Sequence, residues 1–153
     1  MELILRPIGI VRSRIEPGAA RDATEQVATL QILPAYTEGL DGIEQFSHLT
    51  IVYWLNRSQW NGRLKVHPRG RSDLPLTGVF ATRSPVRPNP IAVSVVRLVS
   101  RDGNELTVAG LDAFNETPIL DIKPFVLGPE LLGEVRVPDW AGRQEGHTAG
   151  LAG

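Results

Sequence analysis

The sequence predicts a mainly β protein: a small antiparallel sheet closed, or nearly closed, into a barrel, with few short helices. Three observations carry that reading. Short runs of β-branched and aromatic residues recur along the 153 residues, glycine (15) and proline (12) punctuate them, and helical periodicity is hard to find. At this length the chain is one ordinary domain with room for a core. The barrel is expected over 1–128, followed by a C-terminal extension over 129–153.

The elements follow in chain order. "LILRPIGIVRS" reads as a first strand, with Pro7 marking an edge or a bulge. "SRIEPGAARDATEQ" is a polar loop turning at Pro17-Gly18. "VATLQIL" is a second strand ending at Pro34. "PAYTEGLDGIEQFSH" holds a short helix with Leu40, Ile43 and Phe46 on one side. "LTIVYWL" is continuously apolar, the pattern of a strand buried on both faces. "RLKVH" alternates, and "TGVFATR" follows. "IAVSVVRLVSRDGNELTVAGL" contains a hairpin turning at Asp102-Gly103, and "TPILDIKPF" is the last strand. Beyond Gly128 strand signals are few, and "AGRQEGHTAGLAG" reads as a frayed, glycine-rich tail.

Composition removes several function classes. With no cysteine there is no disulfide, thiolate zinc site, iron–sulfur cluster or cysteine nucleophile. His48, His67 and His147 lack metal-ligand spacing, so no metal is expected. Neither a Gly-x-Gly nor a phosphate loop occurs. No apolar run approaches the roughly 20 residues of a membrane span, and the N-terminus lacks a signal-peptide pattern, so the expected compartment is the cytoplasm. The net charge of −1 hides an asymmetry: residues 57–101 hold nine basic residues and one acid, hence +8, whereas the rest of the chain is −9. Such a block either meets an anion or is covered by the acidic segments.

Within that block, "GVFATRSPVRPNPIAVSVV" breaks a strand with three prolines and two arginines. Pro85, Pro88 and Pro90 lock φ and hold Ser84, Arg87 and Asn89 extended. A pre-ordered segment loses little entropy on gripping a ligand. Its prolines leave carbonyls free to accept bonds, for instance from an adenine amino group, and Arg83 and Arg87 offer planar forks to a phosphate or carboxylate. The competing reading is a stiff crossover between strands. In "NETPILDIKPF", Asp121 and Lys123 share one strand face, bracketed by Pro118 and Pro124. They are either an inner-face pair serving a ligand or a solvated ion pair on the outer face. His48, in "QFSHLTIVYW", is a general base, a carboxylate ligand, or a half-buried core histidine.

These stretches, with "GLDGIEQFSHLTIVYW" upstream and "PIGIVRS" at the start, resemble the TsaA-like domain of the tRNA methyltransferase O family over about residues 5–127. The resemblance implies a β-barrel methyltransferase using S-adenosylmethionine (SAM), acting on N6 of threonylcarbamoyladenosine at position 37 of tRNA, and working as a homodimer. It implies SAM binding by Arg83, Ser84, Arg87, Pro88, Asn89, Pro90, Pro118 and Asp121. Arg83, Arg87, His48 and Arg69 are the candidates to bind the anionic acceptor. Asp121 and Lys123 are the candidate catalytic pair, Asp121 holding a SAM hydroxyl or amine or taking the N6 proton, and Lys123 binding a carboxylate or keeping Asp121 ionised. Alternatives within the same resemblance are methylation of another nucleotide or small molecule, and a non-catalytic barrel that binds SAM or RNA. Relative to the family pattern, Ala92 and Glu116 stand where glycine is usual, and Phe125 replaces a tyrosine.

Overall fold

Alternation along the strands decides which side chains fill the interior. The computed structural model describes residues 1–17, 26–128 and 133–142. Its strands are β1 (Gly9–Arg12), β2 (Val27–Ile32), β3 (His48–Trp54), β4 (Lys65–Val66), β5 (Thr77–Gly78), β6 (Ile91–Asp102), β7 (Glu105–Ala109) and β8 (Pro118–Pro124). Six of them close an antiparallel barrel in the order β1-β2-β7-β6-β3-β8, while β4 and β5 pair as a separate satellite hairpin. The helical segments described are short 3₁₀ turns, and no helix among the described residues is long and apolar enough to cross a membrane.

Every second residue points inward. Val11, Leu30, Leu49, Ile51, Tyr53, Val96, Leu106, Val108 and Ile119 are buried. Each large aliphatic among them is worth about 1.5–3 kcal/mol relative to exposure. The hairpin between β6 and β7 turns where expected, with Gly103 at φ 59 opposite the Asp102–Glu105 pair. The tilted strands share their ends: β3 runs from His48 to Trp54 while antiparallel β8 runs from Pro118 back to Pro124.

Several expectations shift. β1 starts at Gly9 rather than near Leu3, and Leu3, Ile4 and Leu5 are exposed. The expected helix resolves into two 3₁₀ turns, Pro34–Leu40 and Ile43–Gln45, separated by Gly42 at φ 87. "RLKVH" and "TGVFATR" keep only two paired residues each, β4 and β5. β3 is buried on one face only: Leu49, Ile51 and Tyr53 point in, while Thr50, Val52 and Trp54 are half-buried on the outside. Gly18, the remainder of the loop to Glu25, and the tail from Arg143, with His147, lie outside the described residues.

The seam that closes the barrel is short. β1 meets β8 through Gly9↔Ile119 and Ile10↔Pro118 alone. Backbone bonds extend it on both sides, from Ile8 N to Ile119 O (2.8 Å) and from Val11 N to Thr117 O (2.9 Å). On its other side β1 lies close against β2, which Gly9 allows, because a Cβ there would lie 2.3 Å from Gln31 O and 3.0 Å from Ile32 Cα. Gly9→Ala is therefore expected to destabilise the fold by roughly 1–3 kcal/mol, read as a lower denaturant midpoint. Gly39→Ala, with nothing within 4 Å of the added methyl, is the control expected to leave the midpoint nearly unchanged.

Candidate active site

The proline-arginine stretch becomes a loop held from within. It follows a 3₁₀ turn at Val79–Ala81 and runs to Pro90, just before β6. Thr82 Oγ1 accepts from Ser84 N at 3.2 Å, and the buried Ser84 in turn accepts from Val86 N at 3.3 Å. The half-buried Arg87 turns its guanidinium onto its own loop, donating to the carbonyls of Thr82 (3.2 Å), Ser84 (3.1 Å) and Val79 (3.4 Å). Ser58 Oγ donates to Pro85 O at 2.8 Å and Leu55 N to Pro90 O at 2.7 Å, fastening the loop to the segment after β3.

The expected free carbonyls are thus largely spent inside the protein, and the two arginines differ. Arg83 is exposed and makes no side-chain hydrogen bond or ion pair among the described residues, whereas Arg87 is a clamp. Pro88 and Asn89 sit at the outer bend, Asn89 exposed, and Pro90 is buried where β6 begins.

Beneath the loop, at the Trp54 end of β3, lies a cavity of about 330 Å³, within the range of small-molecule sites. Leu55, Pro85, Val86, Ala113 and Phe114 give it apolar walls, and Ser58, Asp112 and Thr117 add polar atoms. Arg57 stacks 5.4 Å from the Phe114 ring centroid, reaching Glu16 Oε2 and Asn115 O at 3.3 Å each. Under Asp112, the buried Tyr53 hydroxyl lies 2.9 Å from Ser94 Oγ and donates to the Asp112 carbonyl at 3.5 Å. Burial pushes the Tyr53 phenol up to about 12, with Asp112 adding to the rise and Ser94 and Arg83 opposing it. It is a neutral support at physiological pH.

Asp112 and Phe114 were not singled out in the sequence. Their signal is faint: a carboxylate and an aromatic just after a strand, in a loop entered through Gly110 at φ 89. Two residues on, Glu116 adopts φ 67 where the family usually has glycine, and its carboxylate pairs with Arg12 at 3.3 Å. A non-glycine residue in that left-handed region carries a backbone cost.

Asp121 and Lys123 do share a face, at 2.9 Å, but it is the outer one: their side chains are 47% and 67% exposed. The cause is a bulge. Val52 pairs with Asp121 while the next residue, Tyr53, pairs with Ile119, so Leu120 is extra and the alternation of β8 inverts. Ile119 and Ile122 both pack inward, leaving Asp121 and Lys123 outside. Asp121 borders a second cleft, of about 500 Å³, walled by Tyr36, Phe46 and Ile122. That cleft lies toward the Pro124 end of β8, opposite the cavity under the arginine loop.

One chain therefore gathers Arg83, Ser84, Arg87, Pro88, Asn89 and Pro90 on one loop, with Pro118 beside the cavity residue Thr117, but does not bring Asp121 and Lys123 to that cavity. His48 is exposed at the other end of β3, its Nδ1 2.8 Å from Ser47 Oγ. Arg69 is in the satellite segment, in the left-handed region at φ 57. Neither lines the cavity.

If Arg87 is the clamp that these bonds describe, Arg87→Ala lowers stability by roughly 1–3 kcal/mol and speeds amide exchange at Ser84 and Val86. Asn89→Ala, at an exposed side chain, is expected to change stability by less than about 0.5 kcal/mol. Hydrogen exchange followed by mass spectrometry reads both.

Comparison with known proteins agrees with this architecture. Residues 12–128 match the tRNA-methyltransferase O N-terminal domain. A "Probable S-adenosyl-L-methionine-binding protein" of Pyrococcus abyssi is 42% identical over 137 residues, covering 86% of this chain and 73% of that protein. One of the same description from Methanothermobacter thermautotrophicus is 40% identical over 138 residues, covering 87% and 97%. The crystal structure of TrmO from Pseudomonas aeruginosa superposes with a TM-score of 0.71 at 30% identity, over 92% of this chain but only 62% of that one. The barrel with its clamped arginine loop thus belongs to the tRNA-methyltransferase O N-terminal domain family.

Proposed function

We propose that this chain is a SAM-dependent methyltransferase that methylates N6 of threonylcarbamoyladenosine at position 37 of tRNA. The observation that carries the reading is the cavity roofed by Pro85 and Val86 of the family's own motif loop. The residues there fit SAM. Leu55, Val86 and Phe114 suit a nucleobase, Asp112 suits an ammonium or ribose hydroxyls, and Arg83 stands free nearby for a carboxylate. The cofactor supplies an electrophilic methyl group on a sulfonium. The chain's residues then have to orient the acceptor nitrogen at near-attack distance and exclude water.

The carboxylate of a threonylcarbamoyl group and the phosphates of RNA both suit the basic block between Arg57 and Arg101. Asp121 would take the proton that N6 gives up as its bond to the methyl forms and the sulfur–methyl bond breaks, and Lys123 would keep Asp121 ionised. For this the two residues must reach a cavity that their own chain holds at its other end. The supporting feature is an apolar ladder on the outer face. Thr50↔Val95, Val52↔Val93 and Trp54↔Ile91 face outward in register, with Ile91, Val93 and Val95 38–48% exposed. Asp121 and Lys123 pair with Val52 and Thr50 beside it. A second copy covering this face makes a homodimer in which Asp121 and Lys123 of one chain serve the cavity of the other.

Two measurements test this reading. Calorimetry is expected to give sub-millimolar SAM binding that Val86→Trp weakens at least about tenfold by filling the cavity. No heat at millimolar SAM overturns the assignment. With unmethylated tRNA as acceptor, Asp121→Asn and Arg83→Ala are each expected to lose most turnover, and mixing the two restores about a quarter of it through heterodimers with one intact site. Activity that stays at the level of the separate variants shows that both residues serve the same chain's site.

A further inference from the structure

The satellite hairpin lies outside the cavity and the apolar ladder, and its surface is unusual. Trp60 is 44% exposed and Phe80 77%, and neither ring lines the cavity. Both are tied to one short piece of backbone. Trp60 Nε1 donates to Arg63 O at 2.9 Å, and the next carbonyl, Leu64 O, accepts from Val79 N at 2.9 Å, immediately before Phe80. The turn beneath is set by Gly62 at φ 82 and by Asn61 Oδ1, which accepts from Arg63 N at 3.0 Å. The N–H bond fixes an indole that is still 44% exposed for contact.

Cations share this excursion of the chain. Arg63, Lys65 and Arg69 are on the same excursion, and their side chains make no hydrogen bond or ion pair among the described residues, whereas Arg71 is engaged by Asp73. Between Asn56 and Gly78 there are five basic residues and the single acid Asp73. Leu64 and Leu76 add exposed apolar area. Aromatics and arginine are also favoured at protein interfaces, so what separates the two kinds of partner here is net charge, five basic residues against one acid, which suits a polyanion. Exposed aromatics on a cationic, phosphate-attracting segment are the requirement for gripping an unpaired nucleic-acid strand, since bases stack on rings and unengaged cations track the backbone.

We infer that the β4–β5 satellite is a single-stranded RNA platform, on which Trp60 and Phe80 stack unpaired bases while Arg63, Lys65 and Arg69 hold the adjoining phosphates. The inference rests on the RNA-acceptor reading above and refines it: the acceptor is presented from an unpaired loop, and its neighbours are held on this hairpin, outside the cavity.

The test uses the full chain, a fluorescently labelled ten-nucleotide single-stranded RNA, and a duplex of the same length, with affinity read by anisotropy. The single strand is expected to bind tighter than the duplex. Trp60→Ala and Phe80→Ala should each weaken single-strand binding about tenfold, while Trp60→Phe retains it. Calorimetric SAM binding should not change in these variants. If both alanine variants bind the single strand like the unaltered chain, the platform is wrong while the acceptor reading stands. If they lose RNA binding but the unaltered chain methylates no tRNA, the platform stands and the acceptor reading fails. If the unaltered chain binds neither RNA, both fail. If the variants alter only the oligomeric mass in light scattering, the patch is a contact between copies and the platform is overturned.

Discussion

The closure of the barrel between β1 and β8 is the constraint on which the remaining geometry depends. Two residue pairs and a few flanking backbone bonds join the ends of the sheet, and on the other side of β1 Gly9 has no Cβ to meet the Gln31 carbonyl of β2. A closed sheet has no edge left to satisfy, so the connections emerge only at the two mouths. The arginine loop, the loop after β7 and the segment after β3 all emerge at the mouth by Trp54 and Pro118, and the cavity is the space they enclose. A barrel that failed to close would leave Thr117 and Phe114 with no fixed relation to Val86.

Within that mouth, rigidity comes from two sources that divide the work. The prolines fix φ at three positions, and Arg87 ties together carbonyls that the prolines' missing donors cannot serve. A guanidinium suits this role because its fork reaches several acceptors at once, which a lysine cannot imitate. Its engagement leaves Arg83 as the loop's outward cation, in a barrel otherwise filled by neutral side chains such as Tyr53.

Most of the barrel was legible because short β-branched and aromatic runs, punctuated by turn residues and free of helical period, are a strong strand signal. The hairpin at Asp102-Gly103, the strands β2, β6, β7 and β8, and the near absence of helix all followed from it. The reading of β3 as buried on both faces went astray for an informative reason: Val52 and Trp54 are apolar yet lie on the outer ladder, and sequence cannot tell a second buried face from an exposed apolar one. In the candidate site, the arginine loop was legible as a rigid element, but the partition between Arg83 and Arg87 was not, since it depends on where Val79 and Ser84 point their carbonyls. Asp112 and Phe114 escaped notice because a lone acid and a lone aromatic in a loop carry no periodicity.

The bulge in β8 bears on how this chain can drift over evolution. Leu120 is the residue that the pairing with β3 skips, and skipping it is what keeps Ile119 and Ile122 both facing the interior. Many side chains would serve at position 120. Losing the residue itself would leave a regular strand with the same faces, since Ile119 and Asp121 already pair with the adjacent Tyr53 and Val52, whereas losing a regularly paired neighbour such as Ile122 would swing Lys123 toward the hydrocarbon centre. Deletion at position 120 should therefore be tolerated far better than deletion anywhere else in this strand.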